Sequence, residues 1–469
     1  MGIVSLADFG STFTKVRLVD TAEGRLLARA EAPTSTGSDL MEGYAAALGA
    51  ARSEAGSAAA IEHELAASSA GGGMRVAAVG LVEDLTAAAA RQTALNAGAR
   101  VQTVVAGALS EEALDELQAA RPEIVLFAGG TDGGQAELVV ENARRLASRR
   151  IGGHAVVACN AEVAEEAAEL LRAAGAVAAV AANVMPELGR LEIEPAREAI
   201  LRVFLEHVLG GKGLSASVEF ERMVRMPTPE AVLRATHLLA RGAATHSGVG
   251  DVVVVDIGGA TTDVHSDRAV EAVSPGIEDP ILPPPARLRT VEGDLGMRIG
   301  AAGIQAADAR WLGEECGGDD EAIRQAVSIR SKDPSWLSGE DGAVRFDRLL
   351  AVSCATHALS RHSGTMVLRR AENGPPALAR SGPDLREVKQ VWGTGGVFAH
   401  RVDGGQILRE ALARQPSRSL APRDPLVCVD DRYVLAAAGL LSAHDPEAAM
   451  RLLRVELLES GVGHRDQEA

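Results

Sequence analysis

Aromatic residues are scarce in this chain of 469 residues: seven Phe, three Trp and two Tyr make up 3% of it. Proteins that hold single-stranded nucleic acid stack bases on interleaved aromatic rings, so this class is largely excluded. Positive charge is also in deficit, because 64 acidic residues outnumber 47 Lys and Arg and leave a net charge of −17. Nucleic-acid and anionic-membrane surfaces neutralise phosphates with Lys and Arg, and the balance argues against both.

Cysteine is rare and dispersed, and no C-x-x-C pair occurs, so neither a zinc site nor a redox motif is indicated. Asp8, Lys15 and Arg17 interrupt the apolar N-terminal stretch, which is unlike a secretory signal. Apolar runs such as residues 174–182 are shorter than the roughly 20 residues of a membrane-spanning helix. We therefore expect a cytoplasmic protein with reduced thiols.

What is present is the composition of a large globular protein, with 46% hydrophobic and 24% charged residues. At about 150 residues per domain, the length predicts about three domains. Strand and helix patterns alternate over residues 75–186, which indicates βαβ units and a parallel sheet. The Ala-rich stretch Leu40 to Glu64 predicts a single helix.

Two similar turns lie far apart in the sequence, each at the end of a predicted strand and each followed by another strand. The first is Asp8-Phe-Gly-Ser-Thr-Phe-Thr-Lys15 and the second is Asp256-Ile-Gly-Gly-Ala-Thr-Thr-Asp263. Glycine lets backbone N–H groups approach an anion, and hydroxyls can donate to phosphate oxygens. A carboxylate at the strand end can hold Mg²⁺ through water. Either turn alone is typical of an ordinary hairpin. The presence of two such turns favours a phosphate clamp, a pair of loops that hold phosphate groups between them.

The candidate phosphate-binding residues are Gly10, Ser11, Thr12 and Lys15 in the first turn, and Gly258, Gly259, Thr261 and Thr262 in the second. Asp8 and Asp256 are the candidate Mg²⁺ ligands and catalytic acids. A third motif, Gly393-Thr394-Gly395-Gly396, follows a predicted strand, and it permits close approach of a flat nucleoside. It is not a Walker A loop, because no Gly-Lys-Ser/Thr follows.

A further glycine-rich loop, Ala128-Gly-Gly-Thr-Asp-Gly-Gly134, lies between a predicted strand and a helix. Amides at a helix N-terminus suit an anion, and Asp132 could orient an attacking water or contact Mg²⁺. Thr131 or Asp132 could equally cap the following helix. Both interpretations stay open.

The order of these motifs resembles that of the actin, sugar-kinase and heat-shock-chaperone ATPase superfamily. The segment Val291-Glu-Gly-Asp-Leu-Gly-Met-Arg298 is similar to a Gly-Asp segment of its chaperone and bacterial-actin branches. The resemblance implies an α/β fold in which two ribonuclease-H-like lobes flank a nucleotide cleft, with an α/β insertion in the first lobe. The implied boundaries are 1–74 and 191–250 for lobe I, 75–190 for the insertion, 251–430 for lobe II, and 431–469 for helices returning toward lobe I.

Four segments, in this order along the chain, point to one family within the superfamily: 7–15, 128–134, Asn183-Val-Met-Pro186 and 393–396. This closer resemblance covers nearly the whole chain. The four segments look like the glutamate-mutase accessory family, called GlmL, or MutL in a usage unrelated to DNA mismatch repair. The resemblance implies an ATP- and Mg²⁺-dependent accessory protein that reactivates an adenosylcobalamin-dependent glutamate (methylaspartate) mutase. Its partners would be the mutase subunits, with self-association left open. No Asp-x-His-x-x-Gly cobalamin motif occurs, so any cobalamin role runs through the partner.

Two other functions are compatible with the same motifs. A small-molecule kinase would need a base in the cleft, for which Asp132 is the candidate. An actin-like protein would assemble into filaments through heterologous surfaces. The discriminating observations are a phosphorylated product for the kinase and ATP-dependent light scattering for the filament.

Overall fold

The computed structural model describes residues 2–35, 37–56, 60–269, 277–278, 280–334, 336, 339, 341–369, 377–401 and 403–459. The chain divides into two compact units. Unit 1 comprises Met1–Ala70, Ala231–Asp279 and Ala286–Ala469, and unit 2 comprises Gly71–Glu230 and Pro280–Pro285.

Strands and helices alternate along much of the described chain. The strands are β1 Ile3–Phe9, β2 Phe13–Asp20, β3 Arg25–Pro33, β4 Ile61–Ser68, β5 Met74–Gly80, β6 Ala99–Ala106, β7 Ile124–Gly129, β8 His154–Cys159, β9 Val177–Val180, β10 Val224–Met226, β11 Val252–Ile257, β12 Thr262–Asp267, β13 Ile277–Glu278, β14 Arg287–Glu292, β15 Thr365–Arg369, β16 Ala377–Ser381, β17 Gln390–Thr394 and β18 Leu426–Val429.

The α-helices are α1 Leu40–Ala55, α2 Ala88–Asn96, α3 Glu111–Ala120, α4 Glu137–Arg149, α5 Ala164–Ala173, α6 Glu194–Val203, α7 Val218–Met223, α8 Thr228–Arg241, α9 Ala301–Ala307, α10 Ala309–Glu315, α11 Asp320–Lys332, α12 Asp341–His362, α13 Gly396–Ala399, α14 Gly404–Ala413, α15 Val434–Ser442 and α16 Pro446–Leu453. Single π-helical turns lie directly after α6, at Phe204–Val208, and directly after α16, at Arg454–Leu458. A third lies directly before α2, at Glu83–Ala87. None of the helices in the described ranges is long and apolar enough to cross a membrane.

Unit 1 contains the same sheet pattern twice. In one sheet β1 pairs antiparallel with β2, β2 with β3, and β1 pairs parallel with β4. In the other, β11 pairs antiparallel with β12, β12 with β14, and β11 pairs parallel with β17, which pairs parallel with β18. This repeated order of three antiparallel strands followed by a parallel crossover is the duplicated mixed α/β fold that the superfamily resemblance implied.

The second sheet of unit 1 lies over a large apolar core. The run Val252–Val255 is fully buried, because β-branched residues suit a strand covered on both faces. One face packs with α12 and α14 in a cluster that includes Leu350, Ile407 and Leu408. Burial of this core fixes the ends of β11 and β17, from which two of the predicted motifs project.

Unit 2 is a parallel sheet in the order β6-β5-β7-β8-β9. The strand and helix alternation predicted over residues 75–186 is therefore confirmed. The apolar cluster around this sheet has Phe127 as its one aromatic residue, and Phe204 and Phe220 are also buried in unit 2. Residues 191–230, which the sequence analysis placed with lobe I, cluster with this unit instead. An ion pair links this segment to the sheet, with Lys212 Nζ 2.6 Å from Glu123 Oε1, and the buried pair of Arg197 Nη1 and Glu230 Oε1 at 2.5 Å ties the segment's two ends together.

The single helix predicted from Leu40 to Glu64 is wrong in its second half. Helix α1 ends at Ala55, and β4 begins at Ile61. The strand pairs parallel with β1, with Leu65 opposite Leu6 and Ala66 opposite Ala7. Because this pairing buries Leu65 and Ala66 in the sheet, tertiary contacts override the helix preference of an Ala-rich sequence.

Candidate functional site

The two turns identified in the sequence adopt the same backbone geometry. The Gly10 N–H donates to the Phe13 carbonyl at 3.1 Å, and the Gly258 N–H donates to the Thr261 carbonyl at 2.9 Å. We call these turns the first hairpin turn (residues 8–15) and the second hairpin turn (residues 256–263). Each places an acid near the end of the incoming strand. The first has hydroxyls at its tip, on Ser11 and Thr12, whereas the second has Gly259 and Ala260 there, followed by Thr261 and Thr262.

The two hairpin turns and the third glycine motif come together within unit 1. A Cβ placed on Gly259 would lie 3.4 Å from Thr12 Oγ1, so the tips of the two turns are adjacent. Gly395 has a φ of 100°, and a Cβ there would lie 2.6 Å from Asp256 Oδ1. Only glycine fits that position, because the backbone conformation and the close carboxylate both exclude a side chain. The three motifs therefore surround Asp256.

The exposure of the candidate residues differs along the turns. Ser11 is exposed at the tip, whereas Thr12, Gly258, Gly259 and Thr261 are partly exposed. Thr262 and Thr394 are fully enclosed in β12 and β17. The backbone amides and the tip hydroxyls are therefore the groups best placed to meet a ligand.

The first hairpin turn is balanced in charge. Asp8 lies opposite Lys15 in the strand register, and Lys15 Nζ is 3.6 Å from Asp8 Oδ2. The same Nζ lies 4.0 Å from the centre of the Tyr433 ring, a cation–π geometry. The Tyr433 hydroxyl donates to Asp8 Oδ2 at 3.2 Å. Burial raises the pKa of Tyr433 well above its usual value, so the phenol remains a donor.

Tyr433 reaches the first hairpin turn because of a cap at the start of α15. The buried Asp430 accepts the N–H groups of Val434 and Leu435 at 2.7 and 2.9 Å, and the Thr394 hydroxyl at 3.0 Å. Tyr433 has a φ of 57°, in the left-handed region that a bulky residue rarely adopts. Asp430 thus joins the third glycine motif to the segment that carries Tyr433.

The second hairpin turn has two acids where the first has an acid and a lysine. Asp256 lies directly opposite Asp263, an arrangement that destabilises a sheet unless it is compensated. The buried Arg289 compensates Asp263, donating to its Oδ1 through Nε at 2.8 Å and Nη2 at 2.5 Å. Thr261 Oγ1 donates to the other carboxylate oxygen at 3.1 Å.

Among the described residues, no cation pairs with Asp256 in this way, since Lys15 pairs with Asp8. Burial raises the pKa of Asp256 to about 7, the negative charges of Asp263, Asp8 and Asp430 act in the same direction, and Lys15 only partly opposes them. A buried carboxylate beside other carboxylates is a place where an added cation would be strongly stabilised. In the described part of the chain, no group of three or more His, Cys, Asp or Glu side chains forms a metal cluster by itself.

The Gly-Asp segment after β14 folds onto the second hairpin turn. The Met297 and Arg298 N–H groups donate to the Gly258 and Gly259 carbonyls at 3.0 and 2.8 Å. Asp347 holds the Arg298 guanidinium, with Nη1 and Oδ1 3.3 Å apart. This segment fixes the tip of the turn and leaves an arginine beside it.

One known protein family matches nearly the whole chain. A family model described as "MutL protein" matches residues 4–457. The chain belongs to the MutL protein family. It is 37% identical over 457 residues to Protein MutL of Clostridium tetanomorphum, covering 97% of this chain and 99% of that protein. The family resemblance inferred from the four short segments is thereby confirmed.

Solved structures show only distant likeness to this MutL-family chain. A glycerol dehydratase reactivase aligns with a TM-score of 0.35 and 12% identity, over 94% of this chain and 99% of that one. An activator of 2-hydroxyisocaproyl-CoA dehydratase from Clostridium difficile, with bound ADPNP, aligns with a TM-score of 0.32 and 10% identity, over 95% of each chain. Because these TM-scores are below 0.5, the alignments do not identify corresponding site residues.

Asp132 belongs to unit 2 of the MutL-family chain, whereas the hairpin turns belong to unit 1. Its Oδ1 accepts the Ala161 N–H at 2.9 Å and Asn183 Nδ2 at 2.8 Å. Helix α4 begins only at Glu137, and its N-cap residue Ala136 makes no side-chain cap. Asp132 therefore ties together the loops after β7, β8 and β9, and it does not cap α4.

Four residues of this site in the MutL-family chain escaped the sequence analysis: Arg289, Arg298, Asp430 and Tyr433. Each acts through a contact distant in sequence, such as the separation of 425 residues between Tyr433 and Asp8. The only local signals were the Gly-Asp segment that contains Arg298 and the Asp-x-x-Tyr spacing before a predicted helix. Neither signal indicates which turn the side chain reaches.

Proposed function

We propose that this chain is an ATP-binding and ATP-hydrolysing accessory protein that reactivates an adenosylcobalamin-dependent glutamate (methylaspartate) mutase. The observation that carries the ATP part is the convergence of the two hairpin turns and the Gly393–Gly396 motif around Asp256. Membership of the MutL family supports the accessory role.

In this proposal the two hairpin turns clamp the phosphates. The Gly259 amide, the tip hydroxyls and Lys15 supply donors. The N–H groups of Gly10 and Gly258 close the two turns, so these glycines would line the phosphate site, and the Gly393–Gly396 motif receives the adenosine. Phosphoryl transfer to water needs mainly positioning and charge neutralisation from the protein. The turns meet at Thr12 and Gly259, so a γ-phosphate between them would contact both lobes and favour closure. Its loss would permit opening.

The residues also fit Mg²⁺. This ion keeps several waters and needs only one or two carboxylates beside the substrate phosphates. Asp8 and Asp256 would hold it, and it would supply the charge neutralisation that the phosphates require. The raised pKa of Asp256 supports this assignment, because a nearby cation favours the ionised carboxylate.

ATP binding tests the first part of the proposal. We expect Asp256→Ala to weaken Mg-ATP binding at least tenfold in titration calorimetry. Asp424→Asn is the matched control in the same unit, since Asp424 is exposed and its φ of 50° suits asparagine. Equal and tight binding by Asp256→Ala and the control would overturn the nucleotide assignment.

We also propose that Asp132 positions the attacking water or a Mg²⁺ ligand. Asp132→Asn keeps an Oδ1 acceptor for Ala161 and Asn183, so the loop is expected to stay folded. The expected result is slower ATP hydrolysis with unchanged ATP affinity, measured by phosphate release and calorimetry. Unchanged hydrolysis would remove Asp132 from the site.

The partner is tested separately. The protein is mixed with glutamate mutase holding inactivated cobalamin, with and without ATP, and recovery of mutase activity is followed. We expect mutase activity to recover only when ATP is present, and not to recover with the Asp256→Ala variant. ATP-independent recovery would overturn the coupling, a phosphorylated metabolite would favour a kinase, and ATP-dependent light scattering would favour a filament.

A further inference from the structure

A second concave site lies entirely within unit 2, where the sequence analysis assigned no function. It is a cavity of about 510 Å³, within the range of small-molecule sites. The residues that argue for a ligand are Arg75, Glu123, His154, His207 and Lys212. Parallel pairing of β5, β7 and β8 brings their amino ends together and so places Arg75, Glu123 and His154 side by side.

One carboxylate serves two cations in this cavity. Glu123 accepts from Lys212 Nζ at 2.6 Å and lies 3.2 Å from Arg75 Nη2. Lys212 is 7% exposed, and its ammonium also donates to the carbonyls of Gly73 and Gly71. Among the residues that line the cavity, one carboxylate faces two cations, so the lining itself carries one excess positive charge.

The arginine is the cation that remains accessible. Its side chain is 38% exposed, and Glu123 is the guanidinium's one ion-pair partner among the described residues. The Arg75 N–H also donates to Glu123 at 2.8 Å, which fixes the start of the side chain. A held, partly exposed guanidinium is the group best suited to grip an oxyanion with two parallel hydrogen bonds.

Two stacked imidazoles form another wall. The rings of His154 and His207 are 5.9 Å apart and inclined by 14°. His154 Nδ1 faces the Glu123 carbonyl at 3.2 Å, and a carbonyl only accepts, so Nδ1 carries a proton and Nε2 is left for another partner. The acids near the rim are Glu206, 3.8 Å from His207 Nε2, and Glu221 beside Gly210.

We propose that this cavity binds a small multivalent oxyanion, a phosphate or dicarboxylate, held by Arg75, with the two imidazoles adding N–H donors when their rings are doubly protonated. Lys212 makes the shorter contact with Glu123, 2.6 Å against 3.2 Å for Arg75, and the fork of N–H groups on the guanidinium can bind a ligand while one of them faces Glu123. The proposal does not depend on nucleotide binding in unit 1.

The test is titration calorimetry of the full chain without nucleotide or Mg²⁺. Inorganic phosphate and succinate are the two probes, and sodium chloride at equal ionic strength is the reference. Saturable binding of at least one divalent probe, absent with chloride, is expected, and the probe that binds identifies the source of the oxyanion. Heats no larger than those of chloride for both probes would overturn the proposal.

Single substitutions test where on the protein the anion binds. Arg75→Gln is expected to weaken binding at least tenfold and His207→Gln to weaken it measurably, whereas Arg91→Gln on the exposed side of unit 2 should leave the affinity unchanged. Thermal melts confirm that each variant is folded. Phosphate held instead at the hairpin turns would be lost in Lys15→Gln and retained in Arg75→Gln, and that pattern would contradict the assignment.

Discussion

The first and second hairpin turns share a backbone and differ in charge. At the first, Asp8 faces Lys15 and receives a phenol hydroxyl from Tyr433. At the second, Asp256 faces Asp263, and Arg289 neutralises only the latter. The duplicated fold therefore contains one turn whose acid is paired with a lysine and one whose acid, Asp256, has no ion-pair partner in the part of the chain that the structure describes. The second turn is the one that we expect to gain most from Mg-ATP.

The largest expected effect comes from removing the cation behind the second turn. Arg289→Met leaves Asp263 buried and uncompensated beside Asp256, and we expect it to lower the free energy of unfolding by about 3–5 kcal/mol. Urea denaturation measures this change. Adding Asp263→Asn to Arg289→Met removes the stranded charge and should restore much of the loss. A double variant as unstable as the single one would break the comparison.

The next effect is a pH dependence specific to the second turn. The pKa of Asp256 rises from 3.8 to about 7 on folding. Below pH 4 the acid is neutral in both states and its full stabilising contribution is present. Between pH 4 and 7 the unfolded chain ionises first, so the free energy of unfolding falls as the pH rises. We expect this loss to be roughly 2–4 kcal/mol for a shift of this size in a partly enclosed group.

Denaturation curves at pH 5 and pH 8 measure that loss, with Asp256→Asn as the control that should not show it. Saturating Mg-ATP should reduce the difference between the two pH values in the wild type, since a bound cation favours the ionised acid. If the free energy of unfolding depended on pH in the same way in the wild type and in Asp256→Asn, Asp256 would ionise at its ordinary pKa. The charge difference between the two turns would then have no effect on stability.

The smallest expected effect tests the first turn. Tyr433→Phe removes the hydroxyl that donates to Asp8 but keeps the ring under Lys15, and we expect a loss of about 1 kcal/mol in the free energy of unfolding. Thermal or urea unfolding measures it. Because the substitution leaves the second turn alone, the pH profile assigned to Asp256 should persist in this variant. Loss of that profile would mean that the two turns are coupled through Tyr433.

The sequence was sufficient to identify those parts of the site that are local. An acid, glycines and hydroxyls between two strands indicate a hairpin that can meet an anion. Their recurrence at Asp8 and Asp256 predicted a pair of phosphate-binding turns, and the superfamily resemblance implied the duplicated fold. The strand β4 was missed because its Ala-rich sequence favours a helix until it pairs with β1. The charge difference between the turns was also hidden, because Arg289 and Tyr433 reach their acids only through strand pairing and the α15 cap.

The contact between Tyr433 and Asp8 also has a consequence for the order of events during synthesis. Asp8 is made early, and its hydroxyl partner is added 425 residues later. At a typical ribosomal rate this interval is roughly 20–85 s. Throughout that time the nascent first turn exists without its phenol, and Asp430 has not yet formed its cap. The first turn therefore acquires its final hydrogen bonding only late in translation.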